Sequence, residues 1–508
     1  MASAFQSEVN VLFGFGVGFA GVLMLLSLFI VKRVVDLSSP SRKRSLKKTK
    51  AGKYIEIDDE MLTRFSKAIQ CQTVSYSISE NDEPWNKDEL IKLHQHIRIS
   101  FPHVHSSPLV KCEMINKYSL LYTVKGSDSN LKPYLLISHL DVVPVKDQKW
   151  DVPQFGGIVK DGFIWGRGTL DVKNGVMGSL EALEVLLKSG HIPNRGFFLS
   201  FGHDEEVFGH HGAAHIAREL VSRGVSLEFV QDEGLMIFND VLPGIKTPAA
   251  LVAVAEKGAL SVKLKVESTV GHASMPPKES SIGILANAVA RIERNAMPSA
   301  FGHGPEVELF SGLSPVLPFL LRVIMSNMWL FKPLVSWILS RKASTNALVR
   351  STIAVTKIHG GTKDNVVPAS ATAHLNIRIH PGDTAEKIIN HLRSCIHDDR
   401  VQIEIIETYP QSPIASSDSD SFGYNTVVSS ILDVFPDVAV VPGLLVAGTD
   451  SKHFQKLTSE IYRFMPSQLN MADVSCIHGS NERISVKNYE QTINFYYRLM
   501  INADQATL

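Results

Sequence analysis

A chain of 508 residues is longer than one ordinary domain, so two or more are expected. Its 44% hydrophobic and 20% charged residues are near the globular average, which excludes disorder throughout. Lys+Arg and Asp+Glu are balanced at 51 each, which excludes a nucleic-acid binder relying on overall positive charge. Four scattered cysteines, Cys71, Cys112, Cys395 and Cys476, make neither a disulfide scaffold nor a CxxC metal site. Any metal must therefore be held by carboxylates and by some of the 19 histidines.

The chain opens with an uncharged run, residues 11–31, long enough at about 1.5 Å per residue to span a hydrocarbon core of roughly 30 Å. The start carries Glu8 and no basic residue, and no small-residue cleavage site follows the run. A retained anchor suits residues 1–31 better than a cleaved signal, though both stay open. Residues 32–54 are a basic tether with Lys32, Arg33, Arg42, Lys43, Arg44, Lys47, Lys48 and Lys50. The expected location is secreted or single-pass anchored, with the side of the membrane open. No N-x-[ST] sequon supports a lumenal placement.

From residue 55 the pattern is globular. Short apolar runs at Leu135–Ser138, Phe197–Gly202 and Glu228–Val230 predict strands, each followed by polar or acidic residues. Helical spacing predicts helices over Asp171–Lys188 and His210–Arg223. Strands alternating with helices predict an α/β fold with a mainly parallel sheet, covering residues 55–257 and resuming over 411–508. Between them the period changes. Leu260, Val262, Leu264 and Val266 alternate with polar residues, as do Ala373, Leu375, Ile377 and Ile379, with a helix expected over Ser281–Arg294. Residues 258–410 therefore read as an inserted α+β module with an antiparallel sheet. Leu313–Leu339 is unusually apolar, but Pro315, Pro318 and Pro333 argue against a membrane span. It reads as a buried helical hairpin or subunit contact. The competing reading is an apolar wall for a lipid-like substrate, or a membrane-surface patch.

In parallel sheets, reactive groups gather past the carboxyl ends of strands. His139 and Asp141 follow one strand, Asp171 opens a helix, and His203-Asp204-Glu205-Glu206 and Asp232-Glu233-Gly234 follow two more strands. His478 and Glu482 lie far downstream. Each signal alone is weak. Together, two histidines and several carboxylates are what a pair of zinc ions needs, since zinc takes nitrogen and oxygen ligands and two can share a carboxylate. A neighbouring carboxylate that is not a ligand can take a proton from water, and Glu205 and Glu206 could divide these tasks.

These motifs resemble the di-zinc aminoacylase/carboxypeptidase family. The matching stretches are Ser-His-Leu-Asp (138–141), Gly-Arg-Gly-Thr-Leu-Asp-Val-Lys (166–173), Asp-Glu-Glu (204–206), Asp-Glu-Gly (232–234) and His-Gly-Ser-Asn-Glu (478–482). Gly271–Glu279 and Arg378–Gly382 resemble the branch that cleaves, and in reverse forms, N-fatty-acyl amino acids. The resemblance implies a zinc exopeptidase-like catalytic domain with a lid that also dimerises, and hence a homodimer acting on small molecules. It implies two Zn2+ per subunit: His139 and Asp232 on one, Glu206 and His478 on the other, and Asp171 bridging. Glu233 is the rival to Asp232. Glu205 would be the general base, and Asp141 would orient His139. His272 would steady the oxyanion, often in the partner's site. Arg378 would grip the substrate carboxylate, and Asn365 would be a polar contact. Gly448-Thr449-Asp450-Ser451 matches a family loop and receives no role. The expected activity is N-acyl-amino acid hydrolysis and synthesis. The alternatives are a carboxypeptidase or dipeptidase, and an inactive membrane-tethered scaffold.

Overall fold

The computed structural model describes residues 24–36, 54–76, 85–239, 247–470 and 473–505. Of the expected membrane segment 11–31, residues 11–23 lie outside the described residues, as do residues 37–53 of the tether. Among the described residues, no helix is long and apolar enough to cross a membrane.

Eight strands form the main sheet. Their order is Val110–Ile115, Ser119–Val124, Phe197–Gly202, Tyr134–His139, Val230–Asn239, Ile461–Asn470, Ala249–Glu256 and Ala439–Leu445. The middle four run parallel. The hairpin Val110–Val124 is antiparallel at one edge, and Ala249–Glu256 meets Ile461–Asn470 antiparallel. This is the α/β, mainly parallel architecture that the alternating pattern predicts. Tyr134–His139 and Phe197–Gly202 are buried on both faces, hence their continuous apolar runs. The period-two alternation sends Leu136 and Leu199 into one core with Leu180 and Tyr489. It sends Leu135, Ile137 and Phe198 into the other with Ile216 and Leu220. Helices Lys173–Lys188 and Val486–Ala503 cover the first face, and Ala213–Ser222 the second.

One expected strand is longer than its apolar run. Val230 begins a strand that continues to Asn239, carrying Asp232 and Glu233 inside it rather than past its end. Gly234, at φ 151°, marks an irregularity in the pairing with Ile461–Asn470. Consecutive strand residues face opposite ways, so Asp232 and Glu233 diverge.

From Gly258 to Tyr409 the chain builds a second sheet. It is antiparallel, in the order Thr352–Gly360, Ser370–Ile379, Gly258–Glu267 and Val401–Tyr409. Leu260, Val262, Leu264 and Val266 face one core with Ala373, Leu375 and Ile377, under helices Ser281–Arg294 and Ala385–Ile396. Each buried aliphatic side chain there contributes about 1.5–3 kcal/mol before entropic costs. Ser280 accepts the Gly283 N–H at 3.1 Å, capping the first of these helices. Past Tyr409 the chain rejoins the main sheet, where the Ser412 N–H donates to the Glu256 carbonyl at 3.2 Å.

Helix Glu306–Leu313 departs from the second sheet altogether. Its Leu309 and Leu313 pack on Ala249 and Val441, covering the edge strand Ala439–Leu445. Helices Phe319–Ser326 and Met328–Leu339 follow as a hairpin. The expectation of a buried hairpin is corrected. Only Met328 and Val335 of the hairpin's hydrophobic side chains are fully buried, against Phe301, Phe310 and Val349, while many large ones face outward.

Candidate active site

His139 ends its strand and is 1% exposed. Its Nδ1 donates to the main-chain carbonyl of Asp141 at 3.0 Å. That fixes the ring and leaves Nε2 facing Asp171 Oδ1 at 3.1 Å and Glu233 Oε1 at 3.2 Å. Asp171 lies in the loop ahead of helix Lys173–Lys188, which begins two residues later than predicted. Gly166 makes that loop possible: its φ is 150°, and a Cβ there would lie 2.4 Å from Ile69 Cγ2. The other oxygen of Asp171, Oδ2, faces His478 Nε2 at 2.9 Å, and Glu206 Oε2 is 3.3 Å from the same nitrogen. Two groups therefore share Asp171: His139–Asp171–Glu233 and Asp171–Glu206–His478. Glu205 completes the wall, with Oε2 4.0 Å from His139 Nε2.

Asp141 acts on more than His139. Its Oδ1 is 3.4 Å from His139 Nδ1, and its two oxygens accept the N–H groups of Glu205 and Glu206 at 3.1 and 3.2 Å. Burial opposes its charge, but His139, Ser75 and the Glu206 amide hold it below the usual carboxylate range. Burial and the neighbouring acids push Glu205 well above that range, with His139 opposing. Burial likewise pushes Glu233 up to about 8. Hydrogen bonds to Asp171 and Glu206 raise His478 to about 11.

The sequence profile of peptidase family M20/M25/M40 matches residues 135–502. The chain belongs to this family. The N-fatty-acyl-amino acid synthase/hydrolase PM20D1.1 of Danio rerio is 48% identical over 451 residues, covering 89% of this chain and 87% of that protein. The probable carboxypeptidase S-like 2 of Dictyostelium discoideum is 41% identical over 452 residues, covering 88% and 86%. The M20 family metallo-carboxypeptidase Sso-CP2 from Sulfolobus solfataricus has a TM-score of 0.62 at 17% identity, covering 88% of this chain and all of that one, which bears on the fold alone.

M20 enzymes are metal-dependent, and the donor set here suits cations. Four carboxylates converge on two imidazoles. Glu206 Oε1 is buried with no hydrogen-bond partner among the described residues, an uncompensated acceptor that a cation would satisfy.

Of the two rival acids, Glu233 rather than Asp232 stands in the groups around His139. Asp232 Oδ1 accepts the Glu233 N–H and its Oδ2 the Ser451 N–H, both at 2.8 Å. Strand alternation turns Glu233 toward His139 instead. Two lid residues lie together, and neither stands in the groups that could hold a metal among the described residues. His272 pairs with Val366 in a two-residue bridge, its Nδ1 accepts the Ser274 N–H at 3.1 Å, and the Asn365 carbonyl accepts the Ala273 N–H. Arg378 is half-buried beside Gly448, with no hydrogen bond or ion pair to a described residue. Trp329 and Trp337 contact Phe29, Asn327 and Arg341.

Several supports in or beside the quoted motifs have no role assigned from sequence. Glu482 Oε1 accepts the N–H groups of Gly168 and Leu170 at 3.0 and 2.8 Å, and its Oε2 pairs with Arg167. Its signal was its place in the same short motif as His478. Lys173 anchors helix Asp59–Gln70 by donating to the carbonyls of Ala68 and Cys71. Glu256, at the end of its strand, accepts Arg463 Nε and Thr449 Oγ1, both at 2.9 Å, steadying the 448–451 loop.

Proposed function

We propose that this chain is a di-zinc amidohydrolase that cleaves, and in reverse forms, the amide bond of N-acyl amino acids with fatty acyl groups. The observation that carries this reading is the Asp171 carboxylate facing two histidine–acid groups, one with each oxygen. The likeness to the Danio rerio synthase/hydrolase supports the substrate class.

His139, Asp171 and Glu233 would hold one zinc and Asp171, Glu206 and His478 the other, supplying Lewis acidity to the amide carbonyl and acidity to a water. The rest falls to the chain's own side chains. Glu205 takes the proton from the attacking water and returns it to the leaving amine nitrogen, and in synthesis it runs the same transfers backwards. Asp141 sets both glutamates through their backbone amides. Arg378 forks onto the substrate carboxylate, so a free carboxyl group selects the substrate. His272 reaches the oxyanion from a second chain paired through the lid, and Asn365 makes a polar contact to the substrate. We extend the reading to location: secretion, or retention through residues 11–31.

The test incubates purified full chain with N-oleoyl-phenylalanine, its carboxamide-capped analogue and Ala-Phe, with and without chelator. Expected are chelator-sensitive hydrolysis of the first substrate, with only residual cleavage of its capped analogue and none of Ala-Phe, recovery with zinc, and loss of turnover in Glu205→Gln. Cleavage of Ala-Phe alone would instead support the carboxypeptidase reading, which the Dictyostelium likeness favours. A metal-free, inactive chain would support the scaffold.

A further inference from the structure

The hairpin of helices Phe319–Ser326 and Met328–Leu339 turns large apolar side chains to solvent. Phe319 and Leu320 are 69% and 75% exposed, and Trp329 and Trp337 are 48% and 56% exposed. Helix 24–36 lies against this hairpin. Phe29 meets Trp329 edge-on at 5.5 Å between ring centroids, and Arg33 Nε donates to the Ser326 carbonyl at 3.1 Å. Asn327 Nδ2 reaches the Ile30 carbonyl at 3.4 Å. The outer side of that helix presents Leu25 and Leu28, 68% and 56% exposed. Two segments far apart in sequence thus merge into one outward apolar face. Isolated exposed apolar residues need no explanation, but a contiguous face does.

The charges around the face identify what covers it. Between Leu313 and Ser351 stand Arg322, Lys332, Arg341, Lys342 and Arg350, with no Asp or Glu. Helix 24–36 adds Lys32 and Arg33 against a single acid, Asp36. Over the whole chain the two signs are equal at 51 each, so the scarcity of acids is local. A predominantly cationic rim around tryptophans complements anionic headgroups above acyl chains. The Arg341 guanidinium lies over the Trp337 ring at 4.1 Å, and Trp329 Nε1 donates to Asn327 Oδ1 at 3.2 Å. Such rings offer an apolar body and a polar edge, as a membrane interface demands. The sequence adds continuity, since the uncharged residues 11–23 lead directly into helix 24–36.

We propose that Phe319, Leu320, Trp329 and Trp337, together with helix 24–36, dock flat on an anionic phospholipid bilayer. The face engages the interfacial plane without spanning it. This surface is independent of the chemistry assigned to the His139 cluster.

The experiment mixes the full chain with unilamellar phosphatidylcholine vesicles, with and without phosphatidylserine, carrying brominated acyl chains that quench tryptophans in contact with them. Expected is quenching of bound protein that falls by at least half in Trp329→Phe/Trp337→Phe, while binding persists. Arg341→Glu/Lys342→Glu should raise the half-saturating lipid concentration about tenfold with phosphatidylserine and leave it unchanged without. Three results would overturn the proposal. One is no vesicle binding. Another is quenching that the double Phe variant does not change, which places the contact elsewhere in the chain. The third is a dimer in sedimentation that Leu320→Ser/Trp329→Ser dissolves, which gives the face to a second copy.

Discussion

Glu482 Oε1 accepts the backbone N–H of Asp171 at 3.2 Å, so the last motif of the chain holds the shared carboxylate of the second in place. The same side chain is fully buried and paired with Arg167. Glu482→Gln removes the charge while keeping the shape. It should weaken metal retention about 10–100-fold, because the support of a ligand loop is lost. Stability should drop by about 3–5 kcal/mol, since Arg167 is left buried and unpaired. Metal content after dialysis and urea unfolding measure the two effects separately.

Glu233 and Asp232 make a direct comparison. Glu233→Gln should leave the isolated protein with close to one metal per chain and cut turnover at least 10³-fold, by removal of an anionic donor. Asp232→Asn should keep both metals, because its oxygens accept backbone amides. Elemental analysis of the two variants decides between them, and the reverse pattern would restore Asp232 to the cluster.

Arg378→Met should lower kcat/KM for an N-acyl amino acid about 10–200-fold, the worth of a charge-assisted pair. It should leave the residual cleavage of a carboxamide-capped analogue unchanged. A mere packing role would depress both substrates alike, so the ratio of the two rates is the readout.

His203 is fully buried, with Ser119 Oγ 2.7 Å from its Nδ1, and burial pushes its pKa down to about 4. The unfolded value is about 6.5, so the folded state binds the proton less tightly than the unfolded one. Its contribution is fully present above about pH 6.5 and is lost as pH falls toward 4, up to about 3 kcal/mol. Denaturation midpoints between pH 7.5 and 4.5 should fall more steeply in wild type than in His203→Gln. Parallel slopes would remove His203 as the cause.

His139, Asp171, Glu206 and His478 were legible because each stands in a short motif at a strand end or loop, and the chain does bring them together. Helix Ser281–Arg294 was legible to the residue, because its apolar spacing and its Ser280 cap agree. The choice between Asp232 and Glu233 was not. It depends on a strand that runs past its apolar stretch into polar sequence, and local periodicity carries no signal for that. The outward-facing hairpin was unresolved for a related reason. An apolar run reads the same whether core or lipid covers it, and only the fold shows that Trp329 and Trp337 point away. Glu482 was named but given no role, because a brace and a ligand use the same carboxylate.

Strand Ile461–Asn470 fills the middle of the main sheet, although it is the last of that sheet's strands to be synthesised. Its neighbours Val230–Asn239 and Ala249–Glu256 touch each other only near one end, at Ile237–Ala250 and Phe238–Ala249. A nascent chain must therefore keep a slot open between them until nearly all of it has left the ribosome. The antiparallel module of residues 258–409 is closed by pairing within itself and can set well before that. A stop codon between residues 410 and 460 yields a finished lid on an unclosed sheet, with sticky edges exposed for chaperones to handle.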